Sequence, residues 1–229
     1  MKTAIKGISS MATRQVLADL VAAYQQHADI HASIESVGGV DAARRVQAGE
    51  SFDFVVLASD AIDKLITSGH IDAHSKTDLV HSGVAVAVRA GAAHPDISTE
   101  DALRQAVQSA RSLSYSTGPS GVALARLFER WGITDEIKSR IVQAPPGVPV
   151  GALVARGDVE LGFQQLSELI HIEGIDLLGP LPAAVQITTT FTAGLCPGSS
   201  QAAAARGLLD FMASPAAAEA KQRQGMEPA

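Results

Sequence analysis

Apolar positions in this chain follow two periods. Short runs rich in Val, Ile and Leu read as strands, and longer stretches with apolar residues at i, i+3 and i+4 read as helices. The chain opens on such a run, with Ile5 and Ile8 in a strand and Gly7 between them letting another backbone approach. Behind Ser9-Ser10, the positions Ala12, Val16, Leu17 and Leu20 have helical spacing, so a helix is predicted to begin at the serines. A strand over 31–37, a turn at Gly38-Gly39 and a helix over 40–48 follow. Residues 52–58 are apolar enough for a parallel strand buried on both faces. Ser59-Asp60 is expected to cap a helix over 61–68, which Gly69 stops.

The second half repeats the pattern. Strands are predicted over 83–89, 112–116, 141–143, 159–163 and 186–193, and helices over 98–110, 122–131, 151–156 and 202–212. Pro145-Pro-Gly-Val-Pro reads as a turn and 165–170 as a short helical turn. Pro215 after Ser214 marks the start of a last helix over 214–222. Leu124, Leu127, Phe128 and Trp131 form one helical stripe, which is core. Strands alternating with helices imply an α/β chain with parallel pairing.

In open α/β sheets, ligands bind at the carboxyl ends of strands. Four predicted strand ends carry polar or glycine turns: Ser9-Ser10, Gly38-Gly39, the run Ser116-Thr117-Gly-Pro-Ser120-Gly121, and Gln164-Gln165. Hydroxyls and unpaired N–H groups at a helix start attract an anion, although a serine there also serves simply as a cap. Arg14 lies one helical turn beyond Ser10, where its guanidinium can either clamp a carboxylate or point to solvent.

Composition narrows the chemistry. A net charge of −6 over 229 residues argues against a nucleic-acid partner or an acidic membrane surface. The lone Cys196 rules out an internal disulfide and a thiolate metal cluster. His27 and His31, like His70 and His74, are four apart but straddle element boundaries, and His94 and His171 are isolated, so no metal is expected. The run from Ser116 to Gly121 lacks the spacing and lysine of a P-loop and the spacing of a nucleophile elbow, and no cofactor is expected. No apolar run has the length of a signal or a membrane span, so the sequence reads as cytoplasmic without membrane insertion.

Several stretches in order resemble the type 2 periplasmic substrate-binding proteins, in their molybdate-binding branch. They are Gly7-Ile-Ser-Ser-Met-Ala-Thr, Phe52-Asp-Phe-Val-Val-Leu-Ala-Ser-Asp, Gly157-Asp-Val-Glu-Leu-Gly-Phe, and Leu208-Leu-Asp-Phe-Met-Ala-Ser-Pro-Ala-Ala-Ala with Gly225-Met. The resemblance implies a two-lobed α/β fold, each lobe a mixed sheet flanked by helices, with a ligand cleft between the lobes. Lobe one would be 1–82 plus 190–229, and lobe two 83–189. In that branch, serines from two loops of the first lobe and a tyrosine of the second help hold the oxyanion. Ser10 matches the first serine. Gly39 stands where the second is expected, and Gln165, or Gln164 in the neighbouring register, where the tyrosine is. Glycine opens space and glutamine both donates and accepts, which suits a larger, less symmetric ligand such as an organic carboxylate.

The same branch includes aconitate isomerase. The resemblance therefore implies an isomerase moving a C=C bond of a small polycarboxylate by a 1,3 proton shift. A non-catalytic small-anion binder or sensor is an alternative. So is a molybdate or tungstate component of an ABC importer, if a leader has been removed. For the base that an isomerase needs, Glu35 and His81 are the candidates. Glu35 lies near a strand end where burial would raise its pKa, and His81 lies at the lobe crossover, where a histidine can reach the cleft, and histidine is the residue type suited to proton transfer near neutral pH.

Overall fold

The computed structural model describes residues 2–145 and 148–229. The predicted turn at Pro145-Pro-Gly-Val-Pro thus falls partly outside the described residues. The first strand, β1 (Thr3–Ser10), sends Ile5 into one apolar core and Ile8 into another on the opposite face, because side chains alternate along a strand. A 3-10 turn at Met11–Thr13 precedes α1 (Arg14–Tyr24). The helix therefore starts later than its spacing predicts. Both serines remain extended because β1 pairs with the next strand through Ser9↔Ser36 and Ser10↔Val37.

That neighbour, β2 (Ile30–Val37), leads into α2 (Gly39–Gln47), followed by β3 (Phe54–Ala58) and α3 (Ser59–Thr67). β2 and β3 flank β1, both parallel to it. All of β3 is buried: Phe54, Val56 and Ala58 join the core that holds Ile5, and Val55 and Leu57 join the one that holds Ile8. Gly7 pairs with Phe54, and a Cβ at Gly7 would lie 2.4 Å from the Phe54 ring. The close approach expected of this glycine is thus with a buried aromatic ring. The expected cap at Ser59-Asp60 is corrected: the chain turns straight from β3 into the helix, the N-cap is Ala58, and it makes no side-chain cap bond.

Two compact units are present, one made of Met1–Ser82 and Thr190–Ala229 and the other of Gly83–Thr189. The chain leaves the first unit within β4 (Thr77–Arg89). β4 begins earlier than the predicted 83–89 because Val80 and His81 also pair, with a C-terminal strand. The second unit adds α4 (Glu100–Ser109), β5 (Leu113–Tyr115), α5 (Pro119–Arg130), α6 (Thr134–Ile137), α7 (Val150–Arg156), β6 (Leu161–Gln165), α8 (Leu166–Leu169) and β7 (Ile175–Pro180). Here β6 is antiparallel to β4 and parallel to β5, and β7 is antiparallel to β4, so the sheet is mixed. Val84, Val86 and Val88 share a core with Leu124, Leu127, Phe128 and Trp131, while Ala85 and Ala87 turn toward Leu169. The predicted strand over 141–143 is reduced to one bridge, Leu113↔Ile141.

β8 (Thr188–Leu195) returns the chain to the first unit, where it pairs antiparallel with β3. α9 (Ala202–Ala213) follows, then a 3-10 turn at Pro215–Ala217, α10 (Ala218–Arg223) and β9 (Glu227–Pro228), which pairs with β4. No helix among the described residues is long and apolar enough to cross a membrane.

Candidate functional site

In the first unit, β2, β1 and β3 run parallel and end side by side at Val37, Ser10 and Ala58. A helix or helical turn follows each strand. At α2 the N-cap is Gly38 and at α3 it is Ala58, and neither makes a side-chain cap bond. The first backbone N–H groups of these helices therefore lack a helical or capping partner and present donors where the dipole favours negative charge. Ser10 caps the 3-10 turn, its Oγ accepting from the Ala12 N–H at 3.2 Å.

The two serines differ in availability. Ser9 is fully buried, with its Oγ 2.8 Å from the Ser36 Oγ and also donating to the Ser10 carbonyl, whereas Ser10 retains a little exposure. A Cβ at Gly39 would sit 3.7 Å from the Ser10 Cβ and 3.9 Å from Leu57, both ordinary contacts, and one at Gly38 would meet nothing within 4 Å. Ser10, Gly38 and Gly39 thus surround open space at the strand ends. Arg14, the first residue of α1, is exposed and takes part in no ion pair among the described residues.

Glu35 does not have the environment expected of a base. Its carboxylate is exposed and bound by both Arg45 nitrogens at 2.6 and 2.9 Å, and Arg45 also holds Glu50. The hydrogen bonds from Arg45 outweigh desolvation and hold Glu35 below the usual carboxylate range, the opposite of the expected rise. His81 lies on β4, half-buried, with Nδ1 3.0 Å from the Thr190 Oγ1.

In the second unit, β5 and β6 are parallel, with Tyr115 opposite Phe163, so Ser116 leaves the sheet beside Gln164, which still pairs with Ala85 of β4. The Ser116 and Ser120 hydroxyls are 3.1 Å apart, and Thr117 is exposed. α5 starts at Pro119 behind Gly118, with no side-chain cap bond. At Gly121 a Cβ would fall 1.6 Å from the Ser116 carbonyl oxygen, so this turn closes only around a glycine. Gln165 donates from Nε2 to the Thr189 Oγ1 at 2.8 Å. Gln164 is buried, and its Oε1 accepts from the Gly151 N–H at 3.4 Å.

One carboxyl here goes beyond what the sequence suggests. Glu168 stands on α8, the helical turn that follows β6 directly, and its side chain hydrogen-bonds with Gln164. Burial pushes its pKa up to about 7, against the lowering effect of that bond. The available signal is its place in the turn predicted over 165–170, just after the two glutamines. Its burial depends on packing and leaves no mark in the local pattern.

Cys196 is partly buried, and burial with Asp53 nearby pushes its thiol up to about 12, so it is no nucleophile. Among the described residues, no three His, Cys, Asp or Glu side chains gather as a metal site.

A family model described as bacterial extracellular solute-binding protein matches residues 5–227. Aconitate isomerase from a Pseudomonas species is 38% identical over 234 residues, spanning 99% of this chain and 88% of that protein. Among solved structures, the Azotobacter vinelandii periplasmic molybdate-binding protein matches with a TM-score of 0.80 at 19% identity, over 97% of this chain and 98% of that one. The sulfate-binding protein of Mycobacterium tuberculosis H37Rv matches at 0.78 and 16% identity, over 99% and 87%. Likeness at these identities establishes the fold, which is the two-lobed α/β fold of periplasmic binding proteins expected from the sequence.

Proposed function

The chain belongs to the bacterial extracellular solute-binding protein family, and from that premise we propose that it is an isomerase of the aconitate type, moving the double bond of a small tricarboxylate by a 1,3 proton shift. The observation that carries this reading is the 38% identity to aconitate isomerase across 99% of the chain. The local chemistry supports it. A tricarboxylate needs several donors set apart, and the first unit offers open helix N–H groups around Gly38, Gly39 and Ala58, the Ser10 hydroxyl and the exposed Arg14. The second offers Ser116, Thr117, Ser120, Gly121, Gln164 and Gln165 at adjoining strand ends. Fixed donors of this kind stabilise the enolate-like charge that forms when a proton leaves carbon next to a carboxylate.

Of the two bases expected, Glu35 is less suited to the role, because its ion pair with Arg45 holds its carboxyl below the usual carboxylate range. His81 remains in the reading as a group at the crossover strand whose Nδ1 is anchored on Thr190.

A second reading, a non-catalytic small-anion binder or importer component, is favoured by the family's description. Purified protein incubated with cis-aconitate and with trans-aconitate, followed by proton NMR, separates the two. We expect either isomer to yield the other. Stabilisation by molybdate or tungstate alone in a thermal-shift screen, with no isomer formed, would establish the binder instead.

Arg14→Ala tests the carboxylate contact. Loss of one charge-assisted pair should raise KM for the tricarboxylate about tenfold, with kcat changed much less. An unchanged KM would place Arg14 in solvent.

A further inference from the structure

A half-buried carboxyl follows the carboxyl end of β6 in the second unit, beside the Gln164 amide. Glu168 occupies the turn directly after β6, and the Ser116–Gly121 turn leaves the neighbouring parallel strand β5 at the same edge. The orientation of the Gln164 amide follows from its partners. Its Oε1 accepts from the Gly151 N–H, so its Nε2 is the side left to donate to Glu168. Glu168 makes no ion pair among the described residues, in contrast to Glu35, Glu50, Glu100 and Glu160, each of which is bound to an arginine. A half-buried carboxyl with no cation paired to it, next to polar strand ends, is a candidate for proton transfer.

We propose that Glu168 is the base that carries the proton in the isomerisation, an assignment that rests on the isomerase reading above. Its carboxylate takes a proton from the CH2 carbon next to the double bond. The C–H electron pair forms the new double bond as the old π pair moves to the far carbon. Each end carbon bears a carboxylate that shares the charge. Glu168 then returns the proton to the far carbon. One C–H bond breaks and one forms, and nothing is oxidised or reduced. Gln164 is a positioning residue, fixing the carboxylate through its amide.

Other titratable groups lie on the elements around α8. Arg156 on α7 pairs with Asp158, Asp176 on β7 accepts from the Gly91 N–H and contacts His94, and Arg89 packs at Gly157. His171 and Glu173 follow in the loop beyond α8.

The test compares wild type, Glu168→Gln and Glu168→Asp on cis- and trans-aconitate, with turnover, a pH profile and a thermal shift by aconitate as readouts. In Glu168→Gln, turnover should fall about 100-fold or more while the aconitate-induced shift persists, with Glu168→Asp retaining more activity than Glu168→Gln. Wild-type kcat/KM should rise with pH and level off above about 7, where the carboxyl is ionised. A Glu168→Gln enzyme within a few-fold of an active wild type overturns the assignment and leaves the isomerase reading standing. Joint loss of the thermal shift and turnover in Glu168→Gln also overturns it, since a base is not needed for binding. A wild-type chain that interconverts neither isomer overturns the isomerase reading and this assignment together.

Discussion

Gly121→Ala should melt well below wild type and lose its response to aconitate. The added methyl would need space 1.6 Å from the Ser116 carbonyl oxygen and 2.6 Å from its carbon. Backbone is what stands in the way, so no rotamer change relieves the overlap. Either the Ser116 carbonyl swings out or the first turn of α5 unwinds. Both separate the Ser116 and Ser120 hydroxyls, now 3.1 Å apart. Overpacking of this kind costs about 3 kcal/mol, equivalent to a fall in Tm of roughly 6–12 °C for a chain of this size. Thermal denaturation with and without aconitate measures both effects. Gly38→Ala is the control, because a Cβ there meets nothing within 4 Å, and its Tm should stay near wild type. If Gly121→Ala melts with wild type, the turn has a second way to close.

Glu168→Gln should do the opposite and stabilise the protein, by a gain that begins above about pH 4.5 and is largest at neutral and alkaline pH. The folded carboxyl has a pKa of about 7 against an ordinary value of 4.5. Between those values the folded state holds a proton that the unfolded chain has released, so stability falls as pH rises through this window. Above about pH 7 the wild type carries a buried charge with no cation paired to it among the described residues. Glutamine removes that charge and still accepts the Gln164 bond. The gain should approach 3 kcal/mol at pH 8 (~1.4 kcal/mol per pKa unit), or roughly 6–12 °C in Tm, and vanish near pH 4.5. Melting curves at pH 4.5, 6 and 8 test the sign directly. A variant less stable than wild type at pH 8 would mean that the ionised carboxylate is favourably held. Together with the kinetic test, this separates a proton-handling group from a packing residue, because it predicts a more stable protein with less activity.

Much of the candidate site in the first unit is legible in the sequence. Ser10, Gly38 and Gly39 stand at ends of adjacent parallel strands, as the turns after Ile8 and Val37 suggest. Such turns announce themselves through serine and glycine, which the local backbone selects. Ser9 is legible as a strand-end hydroxyl, but its engagement with Ser36, 27 residues away, is not. Glu35 departs from its expected surroundings for the same reason. Alternation along β2 cannot reveal that Arg45, on the following helix, lies within reach of its carboxylate.

The order of strands and helices, the apolar faces they bury, the glycine and serine turns and the family resemblance all follow from neighbours along the chain. Periodicity and turn preference act over a few residues, and a sequence records them openly. The proton affinities of Glu35 and Glu168, the closure of the turn around Gly121 and the Phe54 ring filling the space at Gly7 arise only once distant segments pack. The charge state of a carboxyl depends on the water and cations within a few ångströms of it, and the folded chain alone sets those surroundings.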